Sequence, residues 1–433
     1  MKELSRREFL RYLGLGTVGL IVKPRFNFTN SSGSRASDVV QCFHENATSG
    51  STINESVVQI MVDESIKALT GIGDVGEAWK SVFPGIHEAS VIGIKVNCLC
   101  QITTHREFVN CLVTSLTQMQ FSGIPYVRNN VIIWDNYDSL LMGNGGYTIY
   151  DGDDPDTVRC FGTNHSGVGY DALEFNVHGV SSNPSSIMTV LCDYIINAAV
   201  IKDHSIAQIT LTMKNNYGSI HNPGSLHGGQ CNPYIPSLNQ QIRDVITPNN
   251  KQSIFIVDAL IGCYSGGPGG SPNFNPKMVL MSFDSVACDY QGQNLINEER
   301  ANHGLYQYNA PHIITATQPP YNLGTTDINL IEINNPHAGE LKKVIPEDSI
   351  LKIQPNPFYR NTMIILFLVQ TSMVHLDLVD TVGRTVIRIY SGELANGTHR
   401  IPLHISENLS SGTYLTRLDH NGKTTIKKIV VLH

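Results

Sequence analysis

Two apolar runs end in polar clusters in the stretch AAVIKDHSIAQITLTMKNNYG, which covers residues 198–218. These polar residues are of types that bind or react with ligands: Lys202, Asp203, His204, Lys214, Asn215 and Asn216. Lysines attract carboxylates and phosphates, and a histidine transfers protons near neutral pH. We therefore predict that Lys202, His204 and Lys214 are the catalytic residues of an anion-binding site.

Other apolar runs also end in polar residues. Because ligands of an α/β sheet lie outside the carboxyl ends of its strands, these residues predict one shared site. The predicted ligand contacts are the lysine and amide side chains and the bare amides of the loop YSGGPGG: Lys95, Asn97, Asn215, Asn216, Gly266 and Gly267. The candidate metal ligands are the carboxylates Asp203, Asp258 and Asp284. The alternative is that all these side chains are ordinary strand caps and turn residues.

The elements that must position these residues alternate along the chain. Nearly continuous apolar runs predict strands at 90–99, 129–136, 194–204, 252–262 and 277–284, and residues 208–215 are interpreted as another strand. Amphipathic periodicity predicts helices at 54–71, 104–119, 234–246 and 285–300. This alternation predicts an α/β fold with a central, mostly parallel sheet covered by helices.

Residues 350–433 have a different character. Short alternating runs such as VHLDLVD and TVIRIY are separated by turn sequences such as ANGTH, which predicts an all-β, Ig-like sandwich. The predicted organisation is an export signal with its lead-in at 1–36, an α/β domain at 37–315, a linker at 316–349 and the sandwich at 350–433.

The amino terminus places Arg6 and Arg7 before a modestly apolar stretch from Tyr12 to Val22. This pattern is similar to a twin-arginine export signal, which implies the inner-membrane export machinery as a partner. An ordinary basic amphipathic segment is the alternative. The apolar stretch is too short for a stable membrane span.

Composition bears on two further properties, the kind of partner that the protein binds and the state of its cysteines. The 433-residue chain has a formal net charge of −7, and no run of Lys or Arg follows residue 25. Nucleic acid is therefore not expected as a partner. Its nine cysteines contain no C-x-x-C pair, and we expect buried thiols together with one or two disulfides.

The carboxyl-terminal segment resembles the sorting domain of type IX secretion, the Por secretion tail of the Bacteroidetes group. The matching sequences are PNPF, DTVGRTV, LSSGTYLTRL and KKIVVL, in that order within 355–432. The resemblance implies recognition by the type IX secretion machinery. The protein would pass through the periplasm and end at the cell surface or be secreted. A plain Ig-like adhesion module is the alternative.

The body of the chain resembles the domain of unknown function 362 family. The resemblance rests on GDVGEAWKSVFPGI, VIGIKVNCL, IIWD, IKDHSIAQITLTMKNNYGSI, VDALIGCYSGGP and MSFDSVACD. The activity of that family is not established, so the resemblance names no reaction. A metal ion or an iron–sulfur cluster is a candidate cofactor, although the chain lacks the C-x-x-C-x-x-C run of appended ferredoxin clusters that some members carry.

Two hypotheses of function follow. The first is an exported enzyme or redox protein that binds an anionic ligand or a metal cofactor at the sheet edge. The second is a non-catalytic surface module that binds an anionic ligand, such as a glycan or a metal chelate.

Overall fold

The structure is a computed structural model that describes residues 36–246, 251–337, 351–354, 356–368, 372–380, 383–394, 397–405, 409–420 and 423–432. The chain divides into two compact units, Met1–Asn335 and Pro336–His433. The predicted twin-arginine signal with Arg6 and Arg7 lies outside the described residues.

The first unit contains strands of very different lengths. They are β1 Ser37–Phe43, β2 Thr48–Ser49, β3 Thr52–Ile53, β4 Ile92–Lys95, β5 Gln120–Phe121, β6 Ile124–Pro125, β7 Val131–Trp134, β8 Arg159–Cys160, β9 Phe175–Val177, β10 Val180–Ser182, β11 Tyr194–His204, β12 Gln208–Thr210, β13 Gln252–Cys263, β14 Met278–Ser282 and β15 Ile328–Asn334. The two long strands β11 and β13 coincide with the two longest predicted apolar runs, so those predictions are confirmed.

Helices connect these strands. They are α1 Glu55–Thr70, α2 Val75–Val82, α3 Arg106–Leu116, α4 Asp138–Gly143, α5 Thr212–Asn215, α6 Tyr234–Val245, α7 Ser285–Asn302 and α8 Pro311–Thr317. Single 3₁₀ turns lie at Arg128–Asn130, Asn216–Ser219, Pro223–Leu226 and Gly228–Cys231, and a π-helical turn lies at Ile187–Leu191. The side chains of Asn54, Asp74 and Asp284 accept hydrogen bonds from backbone N–H groups at the starts of α1, α2 and α7.

Within the described residues nine strands form one sheet, in the order β15-β1-β14-β13-β11-β4-β7-β8, with β12 paired to β11. Strands β13, β11, β4, β7 and β8 are mutually parallel. Strand β14 runs antiparallel to both of its neighbours, and β12 runs antiparallel to β11. The predicted mostly parallel sheet is therefore confirmed, as a mixed sheet.

Both faces of this sheet are covered, which explains the continuous apolar runs. Neighbouring residues of β11 point to opposite faces, so Ile195 and Ile196 belong to two different hydrophobic cores. Helices α1 to α3 pack in the core of Ile196, and helices α6 to α8 pack in the core of Ile195. A strand buried on both faces needs apolar side chains at every position.

The segment 208–215, interpreted as a strand, divides into two elements. Strand β12 returns along β11 with Gln208 opposite His204, and helix α5 then begins at Thr212. The carboxylate of Asp289 accepts hydrogen bonds from the backbone N–H groups of Thr212 and Met213 at 2.7 and 2.9 Å. A partner 77 positions away thus converts a β-like sequence into a helical turn.

The segment predicted to be a linker, 316–349, contains strand β15 in its first half. Strand β15 pairs with β1 in parallel, with Val40 opposite Ile331, and so completes the edge of the sheet. The first unit therefore extends to Asn335.

The second unit consists of antiparallel strands: β16 Leu351–Gln354, β17 Asn361–Leu368, β18 Ser372–Val379, β19 Thr385–Leu394, β20 Gly397–His404, β21 Gly412–His420 and β22 Lys423–Val431. They form one sheet in the order β16-β17-β20 and another in the order β19-β18-β21-β22. Leu366 of the first sheet and Leu376 of the second are fully buried in the same core, which confirms the predicted sandwich.

All nine cysteines lie within the described residues, and all nine are free thiols. The expected disulfides are therefore not formed. Eight of the nine are buried, and Cys100 is half-buried. Burial raises the pKa of the buried thiols Cys42, Cys111, Cys160 and Cys192 to about 12, so these cysteines act as small apolar side chains.

Candidate active site at the carboxyl edge of the sheet

Strands β4, β7 and β11 end at the same edge because they run parallel. This edge holds the side chains of Lys95, Asp135, Lys202 and His204. Asp284 follows β14, which runs in the opposite direction, and therefore lies at the other edge. Asp258 sits within β13, opposite Val200, and not at the end of its strand.

Lys95 is fully buried and has a complete set of oxygen acceptors. Its Nζ donates to the carbonyl of Val96 at 2.6 Å, to Asp135 Oδ1 at 2.8 Å and to Asn215 Oδ1 at 3.3 Å. A Cβ atom on Gly218 would lie 2.5 Å from Asp135 Oδ1 and 2.7 Å from Lys95 Nζ. The salt bridge therefore requires a glycine here, and Lys95 is committed to the protein interior.

Lys202 is also fully buried, and three oxygens hold it. Its Nζ donates to Asn97 Oδ1 at 2.9 Å and to the carbonyls of Leu99 and Ile102 at 2.8 and 2.7 Å. Burial lowers the pKa of Lys202 to about 8. Lys202 and Asn97 thus tie the 97–102 loop to the end of β11, and their polar atoms are used within the protein.

The predicted amide contacts form a buried network. Asn215 Nδ2 donates to the carbonyl of Lys95 and to Asn197 Oδ1, and Asn216 Nδ2 donates to Asn239 Oδ1 at 2.8 Å. Asn216 Oδ1 accepts from Gln252 Nε2 at 2.6 Å. Both predicted residues, Asn215 and Asn216, therefore position the segment around Lys214 from inside the fold.

Asp203 holds the glycine loop. Its carboxylate accepts hydrogen bonds from the N–H groups of Gly266 at 3.1 Å and Gly267 at 2.6 Å, and from the hydroxyl of Tyr308 at 3.2 Å. A Cβ atom on Gly267 would lie 2.1 Å from the carbonyl oxygen of Asp203. The amides of Gly266 and Gly267, predicted to bind a ligand, are thus occupied by an aspartate of the same chain.

The other two predicted metal ligands have separate partners. Asp258 Oδ2 accepts from the N–H of His105 at 2.8 Å and contacts His105 Nδ1 at 2.7 Å. Asp284 accepts from the N–H groups of Val286 and Ala287 and caps α7. Across the residues that the structure describes, no three His, Cys, Asp or Glu side chains converge in the way a metal site requires.

Lys214 differs from the other two lysines. It is 6% exposed, and its contacts within the described part of the chain are His227 Nε2 at 3.4 Å and the ring face of Tyr217, 4.3 Å from the centroid. No oxygen acceptor for its ammonium occurs among the described residues. Burial lowers the pKa of Lys214 to about 8, although Cys231 raises it.

Hydrogen bonds determine the tautomers of two adjacent histidines. His227 Nδ1 lies 3.1 Å from the carbonyl of Pro223, which can only accept, so Nδ1 carries the proton and Nε2 offers its lone pair to Lys214. His204 Nδ1 accepts from the N–H groups of Ile206 and Ala207, both at 3.1 Å, so its Nε2 carries the proton. The two rings stack with centroids 5.8 Å apart.

These histidines are held in the neutral form. Burial, together with Lys214 and His227, lowers the pKa of His204 to about 3. Burial and Lys214 also lower the pKa of His227. Neutral His204 therefore presents an N–H donor, while His227 presents a basic nitrogen.

A third histidine completes the cluster from a distant part of the sequence. His312 of α8 is fully buried, and neither ring nitrogen has a hydrogen-bond partner in the described part of the chain. Burial and the charge of Lys214 lower the pKa of His312 to about 3, and His312 in turn contributes to the lowered pKa of His204. A buried imidazole that lacks a hydrogen-bond partner, near a lysine that lacks an oxygen acceptor among the described residues, is typical of a site that holds a ligand or water.

We call Lys214, His204, His227, His312 and Tyr217 the lysine–histidine cluster. Of the predicted site residues, the structure brings His204 and Lys214 together here. Lys95, Asn97, Lys202, Asn215 and Asn216 lie beside it as buried supports. The site predicted from the sequence did not include His227 or His312. The two glycines that follow His227, in LHGGQC, were the local sequence feature that could have indicated a role for this histidine.

Comparison with known families agrees with the division of the chain into two units. Residues 92–293 match the family described as a domain of unknown function, number 362. We call this matched segment, residues 92–293, the 362 domain. The matched residues of this 362 domain include Lys95, Lys202, Lys214 and His227, whereas His312 lies beyond the match.

Residues 352–432 match the secretion system C-terminal sorting domain. This sorting domain indicates export to the cell surface or secretion, with the type IX secretion machinery as a partner. No helix in the described ranges is both long enough and apolar enough to cross a membrane.

Other comparisons add little. No curated protein matches the chain significantly. The crystal structure of dimeric latent PorU from Porphyromonas gingivalis matches 19% of this chain and 9% of its own at 20% identity, with a TM-score of 0.16. Pseudomonas fluorescens alkylpurine DNA glycosylase AlkC, bound to DNA containing an abasic site analog, matches 19% of this chain and 29% of its own at 13% identity, with a TM-score of 0.15. Neither match supports an argument about the 362 domain.

Proposed function

We propose that this exported protein is an enzyme that binds a small anion, a carboxylate or a phosphate, at the lysine–histidine cluster. One observation carries the proposal. Lys214 is 6% exposed, and within the described residues its ammonium group contacts a histidine nitrogen and an aromatic ring but has no oxygen acceptor. A buried cation without a counter-ion is costly, and a bound anion would remove that cost.

The neighbouring histidines suit the same ligand. His204 offers its Nε2–H as a neutral donor, and a donor beside a cation favours an oxyanion. The half-buried side chain of His227 and the exposed residues that follow it bring this cluster close to the surface.

The Lys214–His227 contact favours an enzyme over a passive binding module. His227 Nε2 is an unprotonated base 3.4 Å from an ammonium whose pKa lies near 8. In this pair the lysine is the acid and the histidine is the base, the two partners that general acid–base catalysis requires. A non-catalytic module would need only the positive charge.

Thermal unfolding with added anions tests the binding. We expect inorganic phosphate or malonate to raise the melting temperature of the full chain in a saturable way, because a ligand that binds only the folded state stabilises it. In Lys214→Met the apparent affinity should fall by about tenfold or more, equivalent to at least about 1.4 kcal/mol. Lys80→Met, which removes a cation paired with Glu77 on the surface, is the matched control.

The pH dependence separates binding from non-specific salt effects. Anion affinity should decrease as the pH rises through about 8, because the free Lys214 loses its charge there. Equal, non-saturating shifts in wild type and Lys214→Met would overturn the proposal.

A further inference from the structure

Three lysines are buried at one edge of the sheet, and their surroundings differ in one respect. Lys95 and Lys202 each donate to three oxygens, so their ammonium groups are fixed. Lys214 has a nitrogen base and a ring face instead. Of the three, only Lys214 can lose a proton without leaving a carboxylate or carbonyl oxygen unpaired.

The contact that replaces those oxygens is a route for the proton. His227 Nδ1–H is held by the carbonyl of Pro223, which directs the lone pair of Nε2 to Lys214 at 3.4 Å. Lys214 can pass a proton to this nitrogen and become a free amine. A buried amine with an adjacent base is the arrangement by which lysine becomes a nucleophile.

We propose that Lys214 forms an imine with a ligand that carries both a carbonyl and an acidic group, the 2-oxo acid class being the simplest. The proposal rests on the anion site described above, which would hold the acidic group beside His204. The carbonyl carbon would then face Lys214 Nζ. Because the resulting iminium keeps its positive charge, it continues to attract the carboxylate.

The step balances without a further reactant. His227 accepts one proton from the ammonium, and the free amine attacks the carbonyl carbon, whose π electrons move to oxygen. His227 returns the proton to that oxygen, and a second nitrogen-bound hydrogen leaves with it as water. An ammonium and a carbonyl thus give a protonated imine and one water, and nothing is oxidised or reduced.

Borohydride trapping tests the step on the wild-type full chain. The protein is incubated with glyoxylate or pyruvate, reduced with sodium cyanoborohydride, and mapped by peptide mass spectrometry. We expect Lys214 to be labelled at least about tenfold faster than surface lysines, because its neighbour assists deprotonation. Lys95 and Lys202, equally buried at the same edge, are internal controls that should stay unmodified.

Two variants separate the roles of charge and base. Lys214→Arg keeps a cation and should still be stabilised by phosphate, but it should give no adduct at position 214. His227→Gln removes the base and should slow labelling of Lys214 by about tenfold. Far-ultraviolet circular dichroism checks that both variants are folded.

The outcomes distinguish this inference from the proposed function. Saturable stabilisation by phosphate without labelling of Lys214 would overturn the imine and leave the anion site intact. Labelling of Lys95 or Lys202 at the rate of Lys214 would also overturn it, because burial alone would then explain the reactivity. Labelling of Lys214 without any anion stabilisation would instead overturn the anion site.

Discussion

The carboxylate of Asp289 holds Thr212 by two hydrogen bonds, from the backbone N–H at 2.7 Å and from the hydroxyl at 2.6 Å. The same carboxylate accepts a third from the N–H of Met213 at 2.9 Å. These bonds hold the start of the helical turn that carries Lys214. Asp289 of α7 therefore positions the lysine of the lysine–histidine cluster. Burial raises the pKa of Asp289 to about 7 even though all three bonds lower it.

Asp289→Asn should disorganise that turn. The amide retains one oxygen, but its NH₂ group would oppose a backbone N–H that needs an acceptor. We expect the free energy of unfolding to fall by about 1–3 kcal/mol and the saturable effect of phosphate to disappear. Urea unfolding followed by tryptophan fluorescence reports the stability of the first unit alone, because both tryptophans, Trp79 and Trp134, belong to it.

The control for Asp289→Asn is Asp244→Asn. Asp244 is an exposed carboxylate paired with the neighbouring Arg243. A surface pair of this kind contributes about 0–1 kcal/mol. Unchanged stability and phosphate response in Asp289→Asn would show that Asp289 does not position the turn.

Gly218→Ala should break the buried salt bridge between Lys95 and Asp135. The added methyl group would lie within 2.7 Å of both charged atoms, and the side chains of the pair are only 1% and 6% exposed. Separating a buried pair costs about 3–5 kcal/mol, and we expect a loss of that order in urea unfolding. Gly224→Ala, where an added Cβ meets nothing within 4 Å, should change stability by less than about 1 kcal/mol.

His312 should make the protein less stable in acid. Its pKa is about 3 in the folded protein and ordinarily 6.5, so between these pH values the unfolded chain binds a proton that the native state does not. Stability therefore rises with pH through this window, by up to about 1.4 kcal/mol per pH unit. His204, with a folded pKa of about 3, acts in the same direction. Asp289 acts in the opposite direction, between its ordinary pKa of 3.8 and its folded pKa of about 7.

The comparison with His312→Leu isolates this contribution. The effects of His204 and Asp289 are present in both proteins, so the stability difference should shift in favour of the variant by about 1 kcal/mol per unit as the pH falls from 6 to 4. His312→Gln, which cannot take up a proton either, should show the same slope. A difference independent of pH would mean that His312 is not held neutral.

Removal of the sorting domain should stop delivery but not folding. The 336–433 unit has its own core, built around residues such as Leu366 and Leu376. A chain that ends at Asn335 should stay in the periplasm and retain the thermal transition of the first unit. Cell fractionation with protease accessibility checks the location, and tryptophan fluorescence checks the fold. Surface delivery of the shortened chain would contradict the role of the tail.

The sequence alone predicted those elements whose pattern of apolar and polar residues lies within one short segment. The apolar runs of β11 and β13 predicted two buried central strands, because a strand covered on both faces has no position for exposed polar residues. Short alternating runs after residue 350 predicted the sandwich, and the order of the motifs within it indicated the sorting domain. The ends of parallel strands also placed Lys95, Lys202 and His204 correctly at one edge.

Tertiary structure alone decided which partners surround each of these residues. Lys95, Lys202 and Lys214 look alike in sequence. Oxygens up to 120 positions away hold the first two, whereas Lys214 has no oxygen acceptor in the segments that the structure describes. The reversed direction of β14 moved Asp284 to the other edge, and the fold brought His312 from α8 to the cluster. Hydrophobic periodicity specifies which face of a strand is buried, but the partner of each buried charge depends on contacts between segments that are distant in the chain.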